Sequence, residues 1–269
     1  MLIRIISGLV MAIAVIWGLF KLTSDVFNLM ALLLMLGGLY EWRRLCSSSF
    51  TMLGIAALPL LGLYFAYQAG VLAPSSMIIL LAIGVVMWLL KTLQLSQAVA
   101  QVTAPKCLFE GTLLLSIAWL AMVSLRDVFG QHTLLLVLLM VWSADSFAYF
   151  GGKLFGATKL APSISPGKTR EGVASGVLVA MLVALVYTHF VIAPIASFSA
   201  SIILLVMTVL VALISVVGDL SESKLKRAAG MKDSGAIIPG HGGILDRIDG
   251  LIAGVVIYAF YAHLMHYIV

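Results

Sequence analysis

Charge is scarce in this chain. Asp, Glu, Lys and Arg make up 10% of its 269 residues, against about 25% in soluble proteins. Hydrophobic residues make up 62%, and mean hydropathy is +1.16. That shortage excludes a soluble globular protein and marks a polytopic membrane protein. Cysteine is nearly absent as well. Cys46 and Cys107 lie far apart, form no metal-ligand spacing, and do not lead one to expect a structural disulfide. No second His or Cys stands near His241 in the sequence, which argues against zinc. The first apolar run, Ile5 to Phe20, is followed by no A-x-A-like cleavage site, so it is expected to remain as a first helix. There is no Walker A glycine spacing, no usable internal repeat and no low-complexity tract. The net charge of +5 does not point to nucleic acid, because the bases flank apolar runs where lipid head groups and topology account for them.

What is present is a series of apolar runs. Nine have the length a membrane-crossing helix requires, at about 3–20, 25–41, 50–71, 76–93, 108–125, 133–152, 172–193, 197–220 and 247–267. The expected fold is therefore an all-α, polytopic membrane helix bundle. Strands are not expected as spans, because the runs are too long and do not alternate. Pro59, inside the third, is tolerable in a bundle. Fourteen of the sixteen Lys and Arg residues fall on one side of this alternation, and only Lys21 and Arg126 fall on the other. The positive-inside rule makes the first side, and with it the N-terminus, cytoplasmic. One membrane domain over 1–269 is expected, with plain apolar helices over 1–107 and catalytic helices and cytoplasmic loops over 108–269.

Two polar runs interrupt the apolar pattern. The first, Ser143 to Gly172, carries Asp145 within the sixth span, then Ser165-Pro166-Gly167-Lys168-Thr169, Arg170 and Glu171. An ionisable group inside a span is a functional candidate. The hydroxyls, glycine and lysine of the 165–169 segment suit a phosphate cradle. Each also has a structural reading: a capped buried Asp, a turn-capping Ser165, interfacial anchors for the bases, and a helix-dipole partner for Glu171. The second run, Gly218 to Gly250, holds eleven ionisable side chains, counting His241. Asp219, Glu222 and Lys226 share a helix face if the eighth helix continues past its span. Asp246 and Asp249, one turn apart, flank Arg247 and follow His241-Gly242-Gly243. Carboxylates in this arrangement, with Asp219, suit Mg²⁺, which also takes phosphate oxygens. Surface ion pairs or dipole partners are the plainer alternatives. The pairs Gly172/Gly176 and Gly250/Gly254 are expected to let the seventh and ninth helices approach closely.

At these residues the sequence resembles a known family. Ser223-Lys224-Leu225-Lys226-Arg227, then Lys232-Asp233, then Pro239 to Asp249 (PGHGGILDRID) are similar to the signature of phosphatidate cytidylyltransferases, or CDP-diacylglycerol synthases. The AYFGGKLFG and SPGKTREG stretches resemble a second block of the bacterial members, and the two blocks cover about a quarter of the chain. The resemblance implies that CTP and phosphatidic acid react with Mg²⁺ to give CDP-diacylglycerol and pyrophosphate. It also implies a helical bundle in the bacterial inner membrane, as a homodimer. Whether one or two metal ions bind, and whether a monovalent cation takes part, stays open.

In this reading Asp219, Asp246 and Asp249, with Asp145 nearby, hold the metal. Lys226, Arg227 and Lys232 neutralise triphosphate or pyrophosphate, and Lys168, Arg170 and Arg247 bind the lipid phosphate or CTP. Ser165, Ser223 and His241 supply further donors. The rival readings are a CTP-dependent lipid or polyprenol kinase and a cation-coupled transporter. Crowding of the polar residues into one half disfavours the transporter, which is expected to be built from two related halves. A CDP-alcohol phosphotransferase lacks its DGxxAR pattern here.

Overall fold

A computed structural model of the protein describes residues 2–97, 103–194, 197–237 and 242–268. Among the described residues there are nine α-helices: α1 Leu2–Lys21, α2 Ser24–Leu45, α3 Phe50–Gln68, α4 Pro74–Gln94, α5 Ala104–Phe129, α6 Gln131–Phe155, α7 Arg170–Tyr187, α8 Phe198–Ala228 and α9 Leu245–Ile268. Eight of them, α2 to α9, are long and apolar enough to cross a membrane, with α7 extended by a π-helical turn at Thr188–Ile192. The first contributes a shorter apolar stretch, Ser7–Lys21. The helices follow the expected runs closely. The main departure is α8, which continues to Ala228 and carries the start of the second polar run with it.

The helix boundaries follow local chemistry. Ser49, Thr169 and Ser197 each sit before a helix in extended backbone and accept a first-turn amide, from Met52, Gly172 and Ala200 respectively. Pro74 and Pro105 open α4 and α5, where a missing amide hydrogen costs nothing. Gly130, at φ +90°, makes the tight break between α5 and α6.

Helix α5 is the centre of the bundle. Every residue from Leu114 to Arg126 is buried, as an all-round apolar helix should be. It packs against α2, α3, α4, α6 and α9. In contrast α3, α4 and α7 leave large apolar side chains such as Ile55, Ile79 and Leu178 exposed, which suits a lipid-facing position.

Small residues set the other approaches. The Gly172/Gly176 pair packs α7 onto α6, where a side chain at Gly176 would run into the Ala144 carbonyl. Gly250 and Gly254 pack α9 against Ser215 and Val211 of α8 and Val141 of α6.

Two features differ from expectation. The 159–169 segment is a small antiparallel hairpin, β1 Lys159–Ala161 and β2 Ser165–Thr169, with Lys159 opposite Thr169 and Ala161 opposite Ser165. Cys46 and Cys107 are paired as a disulfide, Cα to Cα 5.7 Å. Their distance in sequence conceals that the end of α2 and the start of α5 meet, a contact that Trp42 reinforces by donating Nε1–H to the Cys107 carbonyl at 3.1 Å.

Candidate active site

The polar side chains collect at the end of the bundle where α6, α8, α7 and α9 meet the hairpin and the loop before α9. On α8 the spacing of Asp219, Glu222, Ser223 and Lys226 puts all four on one face at 3.6 residues per turn. Lys168 on β2 reaches across to Asp219, Nζ to Oδ2 2.5 Å, and Ser223 donates to Asp219 Oδ1 at 3.2 Å. The hairpin therefore delivers a lysine to the α8 carboxylate. It is itself secured by Glu171 of α7, which accepts the amides of Ala157 and Thr158.

Lys226 forms the second junction. Its ammonium sits 2.7 Å from Glu222 Oε2 and 2.6 Å from Asp246 Oδ1, joining α8 to the start of α9. The other oxygen of Asp246 accepts the Ser234 amide and hydroxyl, each at 3.0 Å, and the Gly243 amide at 2.8 Å. A side chain in the first helical turn reaching back to an amide just before the helix is one half of a capping box, the half that Gly243, without a side chain, does not return.

Glu41 completes this arrangement from a distant part of the chain. It is fully buried on α2. Its Oε1 accepts the Ile244 amide at 3.0 Å, and its Oε2 accepts the Leu245 amide and the Ser234 hydroxyl, each at 2.8 Å. The unpaired amides at the start of a helix need such acceptors. Gly243 lies so close to the Glu41 carboxylate that any side chain there would collide with it. Gly242, at φ +80°, turns the chain into this contact. Nothing in the local sequence flagged Glu41, because Glu41-Trp42-Arg43-Arg44 reads as an interfacial end of a span.

The remaining carboxylates are less well supplied with donors. Asp249 lies in the electrostatic field of Asp219, Glu222 and Asp145 together; it accepts the Gly250 amide at 2.7 Å and also meets the Glu222 carboxyl side chain to side chain. The Glu222 Oε1 atom is buried with no hydrogen-bond partner. Asp145 is exposed on α6, close to the α9 backbone at Gly250, and interacts electrostatically with Lys168, Asp219 and Arg247. Among the described residues no three His, Cys, Asp or Glu side chains are already converged as a metal cluster. The donor set nonetheless fits a hard cation, since it combines several carboxyl oxygens that crowd one another with one buried oxygen short of donors.

The other expected residues are spread around this centre. Ser165 is half-buried at the start of β2, and Arg170 is exposed at the first residue of α7, its amide bonded to the Thr158 carbonyl. Arg227 is exposed and bonds the Met231 carbonyl of its own loop at 3.4 Å. Lys232 and Arg247 are also exposed. His241 lies outside the described residues. The geometry thus joins Lys168, Asp219, Ser223, Lys226, Asp246 and Asp249 with Asp145, adds Glu222 and Glu41, and leaves Arg170, Arg227 and Lys232 at the periphery.

These features define a polytopic membrane protein with a lysine- and carboxylate-lined site at one end of its helix bundle. Residues 2–265 match the model of the cytidylyltransferase family. Among curated proteins, the phosphatidate cytidylyltransferase of Pseudomonas aeruginosa is 35% identical over 269 residues, covering 95% of this chain and 94% of that protein. That of Haemophilus influenzae is 48% identical over 135 residues, 49% of this chain and 46% of that protein. That of Brucella abortus is 42% identical over 135 residues, 50% of this chain and 48% of that protein. The latter two matches span about half the length of those relatives, and the first spans nearly all. The chain belongs to the cytidylyltransferase family.

Proposed function

We propose that the protein transfers the cytidylyl group of CTP to phosphatidic acid, giving CDP-diacylglycerol and pyrophosphate, as a step of phospholipid biosynthesis. The observation that carries this reading is the pairing of Lys168 with Asp219 beside the under-supplied carboxylates Glu222 and Asp249, at the end of a bundle with lipid-facing walls. Such a site suits one reactant from water and another from the bilayer. The charge asymmetry of the loops supports a cytoplasmic position for it, and the resemblance to bacterial enzymes supports an inner-membrane homodimer with one membrane domain.

In the reaction, a phosphate oxygen of phosphatidic acid attacks the α-phosphorus of CTP. The new P–O bond forms as the bond to the bridging oxygen of the β-phosphate breaks, and pyrophosphate carries away that electron pair. A phosphate monoester has a second pKa of about 6, so near neutral pH it attacks without a dedicated base. The chain's task is then mostly positioning and charge stabilisation. Lys168 and Lys226, each resting on a carboxylate, are held where they can shift onto phosphate oxygens when substrate arrives. Ser223 and Ser165 are hydroxyl donors at the α8 and hairpin walls. Arg170, Arg227, Lys232 and Arg247 line the periphery, where they draw the nucleotide in and bind its outer phosphates, and His241 is assigned from sequence, with Ser165 and Ser223, as a further donor. A divalent cation, Mg²⁺, supplies charge neutralisation when bound. Asp219, Asp249 and Asp145 are the residues to hold it, and Asp246 would join them by releasing Lys226 from Oδ1.

The test is product analysis with purified protein in detergent, phosphatidic acid, Mg²⁺ and α-labelled CTP. Label in lipid with stoichiometric pyrophosphate is expected, and both should be lost in Asp219→Asn. Free CDP with no label in lipid would instead identify a kinase.

A further inference from the structure

Helix α8 has a second polar face, directed away from the active site. At 100° per residue, Ser221, Lys224, Leu225 and Ala228 lie on the side of the helix opposite Asp219, Glu222 and Lys226. That face forms one wall of a cavity of about 810 Å³ that is also lined by the ends of α2 and α4 and by the start of α5. The walls are apolar at Trp42, Leu45 and Leu225 but bear three lysines, Lys91, Lys106 and Lys224.

The charges in this cavity do not cancel. Among the described residues Glu110 is the single acidic residue in the lining, and it pairs with Lys91 at 2.7 Å. Lys224 is oriented by two backbone carbonyls, of Gln94 at 2.5 Å and Gln97 at 2.7 Å, which leaves its charge uncompensated. Lys106 is exposed in the first turn of α5. The start of that 26-residue helix carries no side-chain cap, so its first amides add positive potential to the same space. The Ser221 hydroxyl, on the cavity wall, is buried without a hydrogen-bond partner. A donor with nothing to bond, two surplus ammonium charges and an apolar lining call for an anion attached to an apolar body. Basic pockets between membrane helices at the interface are where phospholipid head groups bind.

We propose that this cavity is a second anion site, separate from the catalytic centre, that takes the phosphate head group of an anionic lipid. Lys106, Lys224 and Ser221 hold the phosphate, and Trp42 and Leu225 face the glycerol and upper acyl chain.

The test uses the full chain in neutral detergent and calorimetric titration with two probes, soluble dihexanoyl phosphatidylglycerol and inorganic phosphate. The lipid is expected to bind, with affinity lowered about tenfold or more in the double variant Lys106→Gln/Lys224→Gln. Because Lys224 also ties the end of α4, the single variant Lys106→Glu, at an exposed position, serves as the second arm and is expected to weaken binding to a similar extent. Asp219→Asn should leave this binding intact. Equal lipid affinity in the wild type and both cavity variants overturns the proposal, as does loss of binding in Asp219→Asn, which would assign the anion to the catalytic centre. Inorganic phosphate binding as tightly as the lipid would make the occupant a soluble phosphate and overturn the lipid assignment.

Discussion

Two groups of carboxylates stand at the same end of the bundle, and their surroundings treat them differently. Glu41 and Asp246 have every oxygen engaged, by the amides of Ser234, Gly243, Ile244 and Leu245, the Ser234 hydroxyl and the Lys226 ammonium. Most of those donors are backbone groups that cannot turn elsewhere. Asp219, Glu222, Asp249 and Asp145 share few donors, two of them lysines, and one of their oxygens is short of any. The first group builds the loop that begins α9. The second group is carboxyl oxygen short of fixed donors, which is the condition for binding a cation or exchanging a lysine with phosphate. Counting fixed donors separates the two where residue type alone does not.

The largest expected effect comes from emptying the second group. Asp249→Asn should lower turnover by about 10²–10³, the range seen when a single charge-stabilising group is removed. Its thermal unfolding midpoint in detergent should stay near the wild-type value, since the partners of Asp249 are the Gly250 amide and the Glu222 carboxyl, and an asparagine can serve both. A matching loss of stability would erase the distinction between the groups.

Breaking the first group should act on structure before chemistry. Glu41→Ala leaves the Ile244 and Leu245 amides without their acceptor, while the Ser234 hydroxyl keeps Asp246, and each buried unsatisfied group costs about 1–3 kcal/mol. Unfolding measurements should show a loss of about 3 kcal/mol, and hydrogen exchange should quicken at Ile244 and Leu245. Glu41→Gln, which keeps one acceptor oxygen, should lose about half as much. Gly243→Ala probes the same clamp from the other side. Its methyl group would press on the Glu41 carboxylate, and overpacking of this kind costs about 1–3 kcal/mol. The smallest effect is expected at Lys153, exposed on α6 and outside both groups. Lys153→Gln should leave turnover within about twofold and stability within about 0.5 kcal/mol.

Much of this organisation is readable from the chain itself. Long apolar runs leave little choice of element, so the helices fall where composition places them. The i, i+3, i+7 spacing of Asp219, Glu222 and Lys226 was sufficient to put them on one face, given that α8 runs on to Ala228. Glu41 was not readable, because its partners lie about 200 residues away and its neighbours Arg43 and Arg44 disguise it as the edge of a span. The Cys46–Cys107 pairing escaped for the same reason, since helix packing and not sequence distance brings the ends of α2 and α5 together. The hairpin that carries Lys168 was hidden by its length: three- and five-residue strands give too few alternations to register as a period. The engagement of Asp246 by Lys226, Ser234 and Gly243 was also invisible, because three separate segments contribute to it.

The most direct test of the contrast is cation binding. Mn²⁺, a spectroscopic stand-in for Mg²⁺, would be titrated by electron paramagnetic resonance into detergent-purified wild type, Asp249→Asn and Glu41→Gln, without nucleotide. The wild type and Glu41→Gln should bind the ion with similar affinity, and Asp249→Asn should bind it about tenfold more weakly or worse. Retained binding in Asp249→Asn together with loss in Glu41→Gln would contradict the account, because Glu41, assigned to the loop before α9, would then control the metal in place of Asp249.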